Sequence, residues 1–153
     1  MNPGRTQVAD KTTITPSETR VRFRDPFSAE GFVDGGWWPR SPSLTDELPA
    51  LIRRAWAHGH HITRASFYLR GWEPAPRQLK IDGRLVKLGG FLHQDPMILS
   101  LTDSGSDLRL DLLVVPADTP PGLADAMLTA ASRPHNLDRP PAITEDARKR
   151  AGR

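Results

Sequence analysis

A two-residue turn between two alternating segments constrains this fold more than any other feature of the sequence. Asp82 and Gly83 separate QLKI from RLVKL, and Asp-Gly is a preferred pair for the tight turn of a β-hairpin. A turn at these two residues brings four apolar side chains to one face of the hairpin: Leu79, Ile81, Val86 and Leu88. Lysines and a glutamine occupy the other face. The turn and the alternation therefore predict the same antiparallel register.

Other segments show the period-two alternation of half-buried strands. TRVRFRD and HITRASFYLRGW each place apolar residues on one side and arginines on the other. PMILSLT and DLRLDLLVV flank the turn residues DSGS and form a second predicted hairpin. GFVDGGWW is predicted to be extended, with an interruption at Gly35 and Gly36. Because short turns join most consecutive strands, an antiparallel meander is expected.

Two amphipathic segments complete the predicted fold. SLTDELPALIRRAWAHG has capping residues and acids in its first turn and a glycine at its end. DTPPGLADAMLTAASR starts with prolines, which suit the first turn of a helix. The element order is β-β-α-β-β-β-β-β-α. We predict an α+β fold in which both helices pack on one face of an antiparallel β-meander sheet, a two-layer sandwich.

Polarity, charge and proline content divide the chain into three parts. Residues 1–18 are polar and predicted to be a flexible arm, residues 19–133 a single α+β domain, and residues 134–153 a basic, proline-rich flexible tail with one short helical segment after Thr144. Residues 1–132 contain 15 Lys and Arg against 15 Asp and Glu, so the net charge of +3 comes from residues 133–153. A neutral body gives little long-range attraction to phosphate.

Several classes of protein are excluded or disfavoured. The chain has no cysteine, which excludes disulfides, thiol nucleophiles and thiolate metal sites. No apolar run approaches the roughly 18 residues of a membrane span, and MNPGRTQVADKTTITPSE lacks the apolar core of a signal peptide. A cytoplasmic protein without a membrane partner is expected.

Three phrases resemble a family of small actinobacterial domains of unknown function: GFVDGGWWPRS, WEPAPRQLKIDGRLVKLGGFLHQDP and LLVVPADTPPGLADAML. The resemblance rests on the motifs GFVDGGWWPRS, WEPAPR and LGGF, and it extends from about Arg20 to Ser132. It implies a bacterial cytoplasmic protein. It implies no catalytic residues, because the family carries no established activity.

The neighbouring tryptophans Trp37 and Trp38 suggest the first functional hypothesis. Side chains of an extended segment point alternately to opposite faces, so one ring should fill the sheet–helix interface and the other should lie on a surface or under a loop. The alternative is an aromatic platform, shared with Trp72, for a protein or small-molecule partner. The predicted binding residues are Asp34, Trp37, Trp38, Arg40, Trp72 and His93.

A basic sheet face gives the second hypothesis. The alternation places these residues on the exposed phase of the predicted strands: Arg20, Arg22, Arg24, Arg64, Tyr68, Arg70, Lys80 and Lys87. Such a face could bind single-stranded RNA or DNA by phosphate contact and base stacking. Arginine and lysine are also ordinary on a solvated face, and one aromatic residue alone belongs to this set.

Histidines offer a third hypothesis. His93 and Asp95 in GGFLHQDP could act as acid and base in a small-molecule enzyme, although a turn between strands explains the same residues. HGHH straddles a helix end and supplies no rigid third or fourth ligand, so no metal site is predicted.

These observations favour a non-catalytic domain that binds a partner through its tryptophan-rich surface without cofactor or metal. Nucleic-acid binding and enzymatic chemistry are the alternatives, and an exposed sheet edge or tryptophan is also compatible with a homodimer.

Overall fold

The computed structural model describes residues 20–24, 31–133 and 137–151, so the predicted arm (residues 1–18) lies outside the described residues. The strands are β1 (Val21–Phe23), β2 (Gly35–Trp37), β3 (Arg64–Tyr68), β4 (Gln78–Ile81), β5 (Arg84–Phe91), β6 (Ile98–Thr102) and β7 (Arg109–Val114). The helices are α1 (Leu44–Ala57), α2 (Pro121–Ala131) and α3 (Pro140–Ala151), and a 3-10 turn (Leu69–Gly71) follows β3.

The predicted hairpin is confirmed as β4 and β5. Leu79 pairs with Val86 in an antiparallel register. Asp82 has φ 51° and Gly83 has φ 80°, and positive φ at both positions is what the type I′ turn of a two-residue hairpin requires. Ile81 is buried in the same core as Val86. The local sequence therefore determined both the turn and the face that it buries.

The sheet as a whole is mixed, with the strand order β1-β2-β7-β6-β3-β5-β4. The α+β class is confirmed, but the antiparallel meander is wrong, because β2 pairs in parallel with β7 and β3 pairs in parallel with β5. After β3 the chain crosses to the edge strand β4 and returns as β5 beside β3. An apolar–polar alternation is compatible with either direction of pairing, so it could not reveal these two parallel pairs.

The helices pack on opposite faces of the sheet, which corrects the two-layer arrangement. The α1 core lies beneath α1 and includes Leu48, Leu51, Leu99, Leu101 and Leu112. The α2 core lies on the other face and includes Leu113, Met127, Leu128, Ala131 and Ile143. Strand β7 serves both cores, since consecutive leucines at 112 and 113 are fully buried on opposite sides. Helix α2 covers the part of the sheet formed by β1, β2 and β7.

Helix α3 packs against α2. It occupies residues 140–151 of the segment predicted as a tail, so it starts four residues before Thr144. Ile143 and Ala147 bury their side chains in the α2 core, and this packing stabilises the helix.

One part of the sheet has no helix over it among the described residues. It lies on the α2 side, across β6, β3, β5 and β4. We call this uncovered surface the open face. The strand registers place the following side chains on it: Arg64, Ser66, Tyr68, Gln78, Lys80, Lys87, Phe91 and Ser100.

Candidate functional site

The two neighbouring tryptophans enter different cores. Trp37 is 3% exposed and belongs to the α1 core, whereas Trp38 packs against the α2 core. The alternation of side chains along an extended segment separates them in this way. Trp72 stacks on Trp37, with ring centroids 5.5 Å apart and ring planes at 17°. The structure therefore brings Trp37 and Trp72 together and leaves Trp38 on the other side of the sheet.

Polar groups around Trp38 are engaged in local structure. The guanidinium of Arg20 lies 3.8 Å from the centroid of the Trp38 ring and donates hydrogen bonds to the carbonyls of Trp38 and Pro39. The backbone N–H of Arg40 donates to the carboxylate of Glu47 over 2.8 Å. Arg20 thus covers one side of the indole and fixes the loop that leads into α1.

Asp34 joins β2 to β7 instead of facing a ligand. Its carboxylate accepts a hydrogen bond of 2.8 Å from the backbone N–H of Asp111. Burial raises the pKa of Asp34 above its usual range; the negative charge of Asp111 acts in the same direction, and the hydrogen bond acts against it.

The Asp34→Asn variant is expected to gain stability relative to the wild type as pH rises. A raised pKa means that folding favours the protonated carboxyl. The stability that Asp34 contributes is therefore complete below the unfolded pKa of about 3.9 and is lost as pH rises through the folded pKa. Asparagine keeps an acceptor for the Asp111 N–H and does not ionise. Urea unfolding of both proteins at acidic and neutral pH should show a larger advantage of the variant at neutral pH; an equal difference would contradict the raised pKa.

His93 and Asp95 line a cavity of about 480 Å³, together with Phe32, Phe91, Gln94, Ile98, Ser100, Arg109 and Asp111. The side-chain amide of Gln94 donates to the carbonyls of Ser66 and Ile98, which ties this turn to the sheet. One oxygen of Asp95 accepts the backbone N–H of Met97.

The carboxylate of Asp111 in the same cavity is also engaged. It accepts hydrogen bonds from the hydroxyl of Ser100, over 2.6 Å, and from Nε of Arg109. Both candidate acid–base residues therefore line one cavity, while both of its aspartates already accept hydrogen bonds from neighbouring groups.

The histidines near the end of α1 contact Phe23. The ring centroids of His58 and His60 lie 5.0 and 5.9 Å from that of Phe23. Burial lowers the pKa of His60, and the charge of His58 adds to this effect. Within residues 20–24, 31–133 and 137–151, no group of three or more His, Cys, Asp or Glu side chains could hold a metal ion.

The predicted basic residues divide into two groups. Those of β1 are used within the fold: Arg22 donates to Thr129 and forms an ion pair with Asp125 of α2, and Arg24 is 3% exposed. Arg64 and Lys87 are register partners on the open face, where Lys80 of the edge strand is exposed beside them. Exposed Arg70 follows in the 3-10 turn, so the open face collects only part of the predicted set.

A cavity of about 530 Å³ on the open face includes two cations of the second group, Arg64 and Lys87. It is lined by Arg64, Arg77, Gln78, Lys87, Leu88, Gly89, Gly90 and Phe91. This lining contains three cations and no carboxylate. Sequence reasoning missed Arg77 and Phe91, although Phe91 lies on the same phase of β5 as Lys87.

Gly89 forms the floor of this cavity. A Cβ at Gly89 would lie 2.5 Å from Nη2 of Arg64 and 3.0 Å from the Phe91 ring, so these two side chains converge above the glycine. Phe91 is 46% exposed, and its register partner on β3 is Tyr68. We call this arrangement of Arg64, Arg77, Lys87, Gly89 and Phe91, with Tyr68 beside it, the Gly89 trough.

Comparison with known proteins gives a family but no activity. Residues 20–131 match the family of unknown function DUF5994, and the chain belongs to that family. No curated protein and no solved structure matches the chain. The matched region extends from β1 to the end of α2 and includes the whole Gly89 trough. Among the residues that the structure describes, no helix has the length and apolar character needed to cross a membrane.

Proposed function

We propose that this DUF5994 domain binds single-stranded nucleic acid across the open face of its sheet, with the Gly89 trough as the centre of the site. The proposal rests on the lining of the trough, in which three cations and no carboxylate accompany an exposed phenylalanine ring. Proteins that bind single strands combine these two elements, because cations contact the phosphates and aromatic rings stack on the bases.

The position of the aromatic residues favours a single strand over a duplex. Tyr68 and Phe91 are neighbours on adjacent strands, which lie about 4.8 Å apart. Bases of a single strand can turn outward and stack on such rings, whereas a duplex offers mainly its phosphates to a sheet surface. Arg64 precedes Tyr68 by four residues in β3, and Lys87 precedes Phe91 by four residues in β5. These two cations would then lie along the backbone of the bound strand.

The other two hypotheses have weaker support. Trp37 is buried and Trp38 is covered by Arg20, so neither ring offers a free face comparable to that of Phe91. The carboxylates beside His93 are engaged by Met97, Ser100 and Arg109. Because residues 1–132 have no net charge, we expect moderate affinity that depends on salt.

Fluorescence anisotropy of a short labelled oligouridine tests this function. Three phosphate contacts predict a plot of log K against log salt with a slope of about −2, since each contact with a single strand contributes about −0.7. The Phe91→Ala variant should bind about tenfold more weakly with the same slope, because stacking contributes about 1–3 kcal/mol per base and carries no charge. Failure of the wild-type protein to bind at about 50 mM salt, or a stronger affinity for duplex, would contradict the proposal.

A further inference from the structure

Another concave site lies where β6 begins and β7 ends, between the loop that precedes α1 and the loop that precedes α2. Its volume is about 550 Å³, within the range of small-molecule sites. It is lined by Pro39, Ser41, Pro42, Gly71, Trp72, Pro96, Met97, Val114, Pro116, Ala117 and Asp118. None of these residues lines the Gly89 trough. The walls are largely apolar, because prolines, Trp72, Met97 and Val114 form most of them.

Hydrogen bonds outside the cavity hold its walls in place. Trp72 is fixed by its stack in the α1 core, and the N–H of the next residue, Glu73, donates to the carbonyl of Pro42 over 2.9 Å. On the opposite wall the indole N–H of Trp38 donates to the carbonyl of Ala117 over 3.3 Å. The cavity is thus formed without a ligand, which reduces the entropy that binding would cost.

The lining of this cavity carries a single charged group, the negative carboxylate of Asp118. Asp118 is exposed and is the sole ionisable side chain in the lining, and among the described residues its carboxylate has no hydrogen-bond or ion-pair partner. The guanidinium of Arg20 reaches the carbonyl of Pro39 but lies over the Trp38 ring, outside the lining. A carboxylate at the rim and an indole ring in the wall both favour a cationic group.

We infer that this cavity binds a small apolar molecule that carries one amine or quaternary ammonium group. The apolar part occupies the space between the prolines and Met97, and the cationic group lies between the ring of Trp72 and the carboxylate of Asp118. This site is separate from the nucleic-acid site proposed above and does not depend on it.

Three probes of similar size test the inference: phenylbutylamine, phenylbutanol and phenylbutyrate. Calorimetry and ligand-observed NMR should give an affinity about three- to tenfold higher for the amine than for the alcohol, and the lowest affinity for the carboxylate. In Asp118→Asn the amine should lose most of this advantage, while the affinity for the alcohol stays unchanged. The control Asp107→Asn removes an exposed carboxylate that does not line the cavity, and it should change neither affinity.

A volume-filling variant locates the site independently of charge. Ala117→Phe should lose binding of both the amine and the alcohol, because the new ring occupies the cavity. The Arg64→Glu/Lys87→Glu protein should bind the amine as tightly as the wild type, because neither residue lines this cavity. The amine result is therefore independent of the nucleic-acid proposal. Absence of binding by all three probes, a preference for phenylbutyrate, or an amine preference that survives in Asp118→Asn would overturn the inference.

Discussion

Replacement of Arg64 and Lys87 together by glutamate is expected to weaken binding of single-stranded RNA by about a hundredfold. Each substitution removes a charge-assisted contact with phosphate, which contributes about 1.5 kcal/mol, and two such losses correspond to roughly that factor. The remaining slope of log K against log salt should fall toward the value for one contact, about −0.7. Anisotropy titrations at several salt concentrations measure both quantities, and circular dichroism confirms that the variant is folded.

A matched control separates the site from the net charge of the protein. Arg148 and Lys149 are exposed on α3, and replacing both by glutamate changes the charge of the chain by the same amount. Because these cations lie outside the Gly89 trough, the control should lose less than about threefold in affinity. Equal losses in the two double variants would mean that RNA responds to overall charge, and the proposed site would then be wrong.

Replacement of Trp37 by alanine is expected to lower the free energy of unfolding by about 3–5 kcal/mol. Trp37 is 3% exposed and forms a stack with Trp72, so its removal leaves a cavity in the α1 core and an unsupported indole beside it. Urea unfolding at low temperature provides the measurement, because the loss is a large part of the stability of a domain of this size.

The neighbouring tryptophan supplies the comparison for this variant. Trp38 is half-buried and lies between Arg20 and the α2 core, so Trp38→Ala should cost clearly less, about 1–2 kcal/mol. Losses of the same size would contradict the placement of Trp37 inside the α1 core and of Trp38 at the margin of the α2 core.

The β4–β5 hairpin and the exposed cations could be predicted, because interactions between residues close in the sequence determine them. The alternation and the Asp-Gly turn gave the register of β4 and β5 because the turn conformation and the buried face must agree within ten residues. The same alternation placed Arg64, Lys80 and Lys87 on the exposed phase, so the cations of the open face could be predicted.

The aromatic part of the site depends on long-range pairing and could not be predicted in the same way. Phe91 lies beside Tyr68 because β3 and β5 are parallel neighbours in the sheet, although β4 lies between them in the sequence. Period-two patterns do not specify the neighbour of a strand or its direction. The alternation also predicts that the basic side chains of β1 face solvent. That prediction is wrong for Arg22 for a related reason, since tertiary packing sets the position of α2 over this residue.

A signal for the second helical layer was present in the sequence. Leu112 to Val115 form a continuous apolar run instead of an alternating one, and such a run is typical of a strand buried on both faces. Leu112 and Leu113 indeed enter opposite cores. The prediction that both helices pack on one side follows from treating β7 as half-buried along its whole length, and it is therefore wrong.

An NMR titration of the labelled protein with oligouridine tests the central claim most directly, because it reports the position of the bound strand. We expect the largest amide shifts at residues 64–68 and 87–91, the parts of β3 and β5 that form the Gly89 trough, with little change along α1 on the opposite face. Shifts concentrated on α1 or α3, or no shifts at saturating oligouridine, would contradict the claim that the open face is the binding site.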